Sequence, residues 1–173
     1  TPGDKLSSIQ QMDKFKITRK HLATLWKDFN TADVNVDLVA IGSPHASLSE
    51  CRNFVKFFNG KSCSPKVKTI ITMGRDVLSQ VKEEGILEEL KRTGIQVISD
   101  ICWCSITEPI FPNNTSVIMT NSGKYAHYAH GLTGRKTRFG SLEDCAKTAQ
   151  SGLAKSDLPL SLIHISEPTR RPK

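Results

Sequence analysis

A chain of 173 residues, 38% hydrophobic and 6% aromatic, has apolar material for about one compact core. Its formal charge of +7 comes from 24 Lys and Arg interleaved with 17 Asp and Glu, which reads as a solvated basic surface and not as a nucleic-acid footprint. There is no run of ~18 apolar residues to span a bilayer and no charged-then-apolar leader, so no membrane association and a cytoplasmic location are expected. The 5 cysteines, an odd number, point to thiols used for packing or metal ligation instead of a disulfide framework.

In chain order, Thr18 is an N-cap for a helix over 19–29, with Leu22, Leu25, Trp26 and Phe29 on one face. The apolar run 36–41 ends at Gly42 and predicts a buried parallel strand. A helix over 47–58 follows, with Leu48, Cys51, Val55 and Phe58 inward. Strands are predicted at 67–72, 95–98 and 117–120, and helices at 75–84, 86–92, from Ser122, and at 141–150. Strands alternating with helices imply an α/β fold: three layers, a mostly parallel sheet with helices on both faces.

In such a sheet, ligand sites gather beyond the carboxyl ends of the strands. Three polar loops fall there. Gly42-Ser43-Pro44-His45-Ala46-Ser47 follows the first strand, with Glu50 three residues after Ser47. His45 and Ser47 at a helix start suit a small carboxylate, while Ser47 with Glu50 also fits a capping box. Asp100-Ile101-Cys102-Trp103-Cys104 follows the third strand; in an extended stretch both thiols share a side, and thiolates suit iron. Buried packing is the competing role for these cysteines. Cys145 lies near the start of the last helix, where a helix N-terminus favours thiolate and where packing is again the alternative. Asn121, Ser122, Lys124 and Tyr125, with His127 and Tyr128 close behind, follow the fourth strand. Capping explains Asn121 or Ser122; Lys124 is placed to neutralise a carboxylate.

Taken together, these motifs with Glu108-Pro109 and Phe139-Gly140-Ser141-Leu142-Glu143-Asp144-Cys145 resemble the aconitase X family from about Asp37 to Gly152. The Cys-Trp-Cys stretch followed by Glu-Pro is more similar to the cis-3-hydroxy-L-proline dehydratase branch than to the phosphomevalonate dehydratase branch. The resemblance implies an aconitase-like fold, truncated here, and a hydro-lyase that removes water from a small hydroxy acid. It implies an iron ion or iron–sulfur cluster as cofactor, with Cys102 and Cys145 as metal ligands and a third from elsewhere in the protein or from Cys104. Iron acts there as a Lewis acid on the hydroxyl while a base removes the adjacent proton. The implied substrate-binding residues are His45, Ser47, Asn121, Ser122, Lys124 and Tyr125. The implied partners are the hydroxy acid and a small swivelling subunit or domain that carries the base. Ser43 departs from the Cys that some members place before Pro-His, and Ile101 from the usual Thr. A phosphomevalonate dehydratase and a non-catalytic small-molecule binding module are the alternative functions.

Residues 1–159 are expected to be the C-terminal portion of that catalytic domain, with the beginning missing. Leu160-Ser161-Leu162-Ile163-His164-Ile165-Ser166-Glu167-Pro168-Thr169-Arg170 resembles one translation frame of a transposase adapter used for sequencing libraries. Residues 160–173 are therefore expected to be an artefact tail, and His164 carries no functional weight.

Overall fold

The computed structural model describes residues 15–106, 108–155 and 159. The expected adapter-like tail lies outside the described residues. β1 (Leu38–Ile41), β2 (Lys68–Met73), β3 (Gln96–Ser99), β4 (Val117–Thr120) and β5 (Lys136–Phe139) form one sheet in the order β3-β2-β1-β4-β5. Every pairing is parallel. The helices are α1 (Arg19–Asp28), α2 (Leu48–Phe58), α3 (Arg75–Glu83), α4 (Ile86–Arg92), α5 (Gly123–Thr133) and α6 (Leu142–Ser151), with a 3-10 turn at Trp103–Ser105.

Side-chain alternation along the strands divides the core into two layers. Val39, Ile41, Ile71, Met73 and Met119 face one side, where Cys51, Phe54 and Phe58 of α2, Val81 of α3, Leu90 of α4 and Cys145 and Ala149 of α6 cover them. Leu38, Ala40, Ile70 and Ile118 face the other side, beneath Trp103, Phe111 and the α5 residues Tyr125 and Ala129. Burying each large side chain contributes roughly 1.5–3 kcal/mol, so both faces of β1 are strongly held. This is the three-layer α/β architecture expected. Helix starts are set locally: Thr18, Ser47 and Ser141 each form a reciprocal capping box, and Ser122 caps α5. No helix among the described residues is long and apolar enough to cross a membrane.

Three features depart from expectation. β5 carries no apolar run, because its inward residue is Arg138, buried at 4% exposure. The guanidinium donates to the carbonyls of Asn30 at 2.6 Å, Ala32 at 3.2 Å and Lys155 at 3.3 Å, which replaces its hydration. The face predicted for α1 is only half used. Trp26 and Phe29 pack edge-on against Phe139 at 5.3 and 5.7 Å, while Leu22 and Leu25 remain 46% and 48% exposed. β1 also starts later than predicted, since Val36 N–H donates instead to Gly152 O at 2.9 Å.

The strand order matters for function. β1 lies between β2 and β4, so the chain winds one way through β2 and β3 and the other way through β4 and β5. The loops after β1 and β4 therefore flank the topological switch point, the place where such sheets open a crevice.

Candidate active site at the switch point of the sheet

The loop after β1 turns sharply at Gly42, whose φ is +85°. A Cβ there would overlap Thr72 O and lie 2.7 Å from Ala46 N, so both the left-handed conformation and the close approach require glycine. Thr72 Oγ1 donates within the loop, with Gly42 O at 2.8 Å and Pro44 O at 3.1 Å, and Ala46 N–H donates to Thr72 O at 2.8 Å. β2 thus shapes the loop that carries His45.

Ser47 and Glu50 cap α2. Glu50 Oε2 accepts from Ser47 N and Ser47 Oγ, both at 2.9 Å, and Ser47 Oγ accepts from Glu50 N at 3.3 Å. The other carboxylate oxygen, Oε1, accepts from Asn121 Nδ2 at 3.2 Å. One side chain therefore joins the loops on both sides of the switch point. After β4, Ser122 Oγ accepts from Tyr125 N at 3.2 Å and starts α5.

The loop after β3 reaches the same edge through Trp103. Its buried indole donates to Ile41 O at 2.9 Å, at the end of β1, and its ring lies 5.6 Å from that of Tyr125. Anchoring the central Trp leaves Cys102 and Cys104 half-buried on either side. The two thiols are neighbours. Partial burial, then the hydrogen bond and charge of Cys102, hold the Cys104 thiol above its ordinary range, while Lys124 and Ser43 act in the opposite sense. Tyr125 is fully buried, and its phenol is pushed up first by burial and then by Cys104.

On the β2 side, Asp100 adopts φ 60° and accepts from Arg75 N at 3.0 Å and Arg75 Nε at 2.9 Å. The hydrogen bonds from Arg75 hold its carboxyl below the usual range, and His45 is near enough to add a small charge effect.

The structure thus brings His45, Ser47, Asn121, Ser122, Lys124, Tyr125 and Cys102 to the carboxyl end of the sheet. Cys145 lies one turn into α6, whose start follows β5 at the same edge. That thiol is fully buried in the layer beneath α6, on the opposite face of the sheet from the aromatic layer against which Cys104 packs. Burial first, and Asp144 second, push it far above the ordinary thiol range, so desolvation outweighs the helix-start effect expected from its position. The neighbour of Cys102 is Cys104. Among the described residues no group of three or more His, Cys, Asp or Glu converges as a metal cluster. The donor set that fits part of an iron site is the Cys102–Cys104 pair, with the buried hydroxyl of Ser43 beside it. The residues not foreseen were Thr72 and the role of Glu50 beyond α2; neither has a local signature, since each acts on a loop distant in sequence.

The family model described as the aconitase X third domain matches residues 36–151. The cis-3-hydroxy-L-proline dehydratase of Hypocrea jecorina is 38% identical over 161 residues, covering 92% of this chain and 27% of that protein. The enzyme of the same name from Pseudomonas aeruginosa is 38% identical over 83% of this chain and 25% of its own length. The phosphomevalonate dehydratase large subunit of Methanosarcina mazei is 29% identical over 67% of this chain and 27% of its own length. Aconitase X from Thermococcus kodakaraensis, in its holo-form, superposes with a TM-score of 0.68 at 29% identity, covering 80% of this chain and 36% of that one. The chain spans about a quarter of the length of the curated relatives it matches. The parallel order of the sheet, the loops gathered at its switch point and these matches agree: the chain belongs to the aconitase X family, with residues 36–151 corresponding to its third domain.

Proposed function

We propose that this segment supplies one wall of the active site of a hydro-lyase that removes water from a small hydroxy acid, with cis-3-hydroxy-L-proline as the substrate. The observation that carries this reading is the gathering of three polar loops at one sheet edge by the Asn121–Glu50 and Trp103–Ile41 hydrogen bonds. Two relatives bearing that enzyme's name, at 38% identity, support the choice of substrate. So does the charge at this edge: Arg75 is engaged by Asp100, which leaves Lys124 and His45 as the basic groups, a set suited to one carboxylate more than to a phosphate as well.

Each residue then has a distinct task. Lys124, exposed at the start of α5, neutralises the carboxylate. His45 presents its imidazole from the loop after β1. The hydroxyls of Ser47 and Ser122 are engaged as caps and orient the loops. The Asn121 amide gives one N–H to Glu50 and keeps its carbonyl and second N–H for the substrate. Cys102 and Cys104 hold the iron, with further ligands from outside the described residues; bound there, the metal supplies Lewis acidity that makes hydroxide a viable leaving group. The base that takes the C–H proton comes from a small swivelling subunit or domain, and a cytoplasmic setting keeps the thiols reduced.

The test is to load the longer protein carrying this segment with iron anaerobically and incubate it separately with cis-3-hydroxy-L-proline and phosphomevalonate. Mass spectrometry should find a product one water lighter from the first. Water loss from phosphomevalonate alone reassigns the substrate, and iron-free protein that binds hydroxyproline without turnover makes the segment a binding module.

A further inference from the structure

The last strand on each side of a sheet turns alternate N–H and C=O groups outward, and that row pairs with any strand that reaches it unless the edge is blunted. The two edges here, β5 and β3, differ in this respect. On β5, Lys136 N–H donates to Ser116 O and Gly140 N–H to Thr120 O, so the even-numbered residues bond β4 while Thr137 and Phe139 face outward. Asn30 closes that edge at Phe139: its amide donates to Phe139 O at 3.1 Å and accepts from Phe139 N at 3.0 Å. The exposed Lys136 and the inward, buried charge of Arg138 further discourage a strand from adding there. β3 carries none of these devices. Asp100 N–H donates to Met73 O at 2.9 Å and the register with β2 runs without a bulge, so Gln96 and Ile98 bond β2 while Val97 and Ser99 turn both backbone groups away from it. Among the described residues nothing bonds those outward groups. Gln96-Val97-Ile98-Ser99 holds neither charge nor proline. Val97 packs against the core layer that contains Leu90 of α4, and Ile98 against the aromatic layer, yet both stay only half-buried. Apolar side chains on both faces are the pattern of an interior strand in a parallel sheet, and a strand laid beside β3 would complete their burial.

We propose that the open edge of β3 receives a sixth strand, an extended and uncharged segment of the longer protein from outside residues 36–151, which pairs with the outward groups of Val97 and Ser99. Two things point to that occupant. This chain covers 27% and 25% of the length of its curated relatives, so most of such a protein lies beyond the match. The edge is also short: the few backbone bonds that two outward residues can make are too weak to hold a free molecule against the entropy of association, whereas a segment of the same polypeptide arrives at high effective concentration. β3 leads directly into the loop bearing Cys102 and Cys104, so the added strand also fixes the base from which that loop departs. The inference is independent of which hydroxy acid the site takes.

Residue-resolved hydrogen exchange on the longer protein carrying this segment tests the pairing. The amides of Ile98 and Asp100 bond β2 and serve as the internal reference. Val97 and Ser99 should match them, giving unbroken protection from 97 to 100, with exchange about a hundredfold or more slower than at an open edge. Alternating protection, in which Ile98 and Asp100 are slow while Val97 and Ser99 exchange freely, overturns the proposal. Protection of Val97 and Ser99 that fades on dilution puts a second copy at the edge and overturns the assignment of the occupant. A variant supplies the second measurement. Val97→Pro removes an outward N–H and leaves the ladder to β2 intact, a change that an open edge strand tolerates. It should lower the thermal midpoint of the longer protein more than that of the 173-residue chain; equal shifts in the two mean that nothing pairs with this amide, and overturn the proposal.

Discussion

The side-chain amide of Asn121 donates to Glu50 Oε1 at 3.2 Å, while the other oxygen of that carboxylate closes the N-cap of α2. Cap and crevice therefore share one side chain. Glu50→Ala should cost about 1–2 kcal/mol and Asn121→Ala about 0.5–1.5 kcal/mol in urea unfolding. A double-mutant cycle should show coupling of at least about 0.5 kcal/mol; simple additivity would mean that the two loops are not linked.

Gly42 and Thr72 form the second constraint on the site. Gly42→Ala should destabilise by about 2–4 kcal/mol, from the strained conformation and from overlap with β2. Thr72→Val removes the hydroxyl that bonds Gly42 O and Pro44 O and should cost about 1–3 kcal/mol. Denaturant unfolding measures both, and wild-type stability for Gly42→Ala would contradict the turn geometry.

The cysteines should separate by environment. Burial, with Glu50 adding to it, pushes the Cys51 thiol up to about 11, so its thiolate fraction at pH 8 is on the order of one in a thousand. Cys145 is fully buried as well. Iodoacetamide mapping at pH 8 should label Cys102 in the native chain, and Cys51 and Cys145 only after unfolding. Cys145→Ser should cost about 1–3 kcal/mol by burying a hydroxyl in an apolar layer, yet leave iron uptake by the longer protein intact. Cys102→Ser and Cys104→Ser should do the reverse. Loss of iron in Cys145→Ser, with the fold preserved, would restore that residue as a ligand.

Asp100 gives a pH dependence of known sign. The hydrogen bonds from Arg75 depress its folded-state pKa, so its stabilisation is present above the unfolded carboxylate value and is lost as pH falls through the lower, folded value. Asp100→Asn should make thermal stability fall less steeply below about pH 4 than in wild type. Identical acid profiles would show that the Arg75 contact contributes nothing.

Arg138 replaces an apolar residue in β5 by holding the carbonyls of Asn30, Ala32 and Lys155. Arg138→Met keeps much of the side-chain volume but leaves those carbonyls unbonded, and should cost about 2–4 kcal/mol. Arg138→Lys should recover little of it, because a single ammonium does not reproduce the planar fork. Chemical denaturation of the two variants checks this, and full recovery in the lysine variant would reduce the role to charge.

β5 also shows why part of the fold escaped sequence reading. Its Lys136-Thr137-Arg138-Phe139 stretch has neither an apolar run nor a simple alternation, and its inward side chain is charged. A strand was nonetheless required there, because α5 and α6 cover opposite faces of the sheet and the chain must cross between them. The α1 face failed for a different reason: helical periodicity marks Leu22, Leu25, Trp26 and Phe29 as one stripe, but only Trp26 and Phe29 meet the rings at the β5 edge.

The candidate site divides in the same way. The sequence alone determined which loops carry polar and sulfur side chains, where α2, α5 and α6 begin, and that the strands are parallel, because caps, turns and apolar runs are interactions among residues close in the chain. Tertiary structure decided which thiol sits beside Cys102 and that Glu50 serves Asn121 as well as Ser47. The second of these joins residues 71 positions apart, and it depends on strand order and on which face of the sheet each helix covers; Cys145, marked by position as a ligand, lies beneath α6 in the layer opposite the aromatic one.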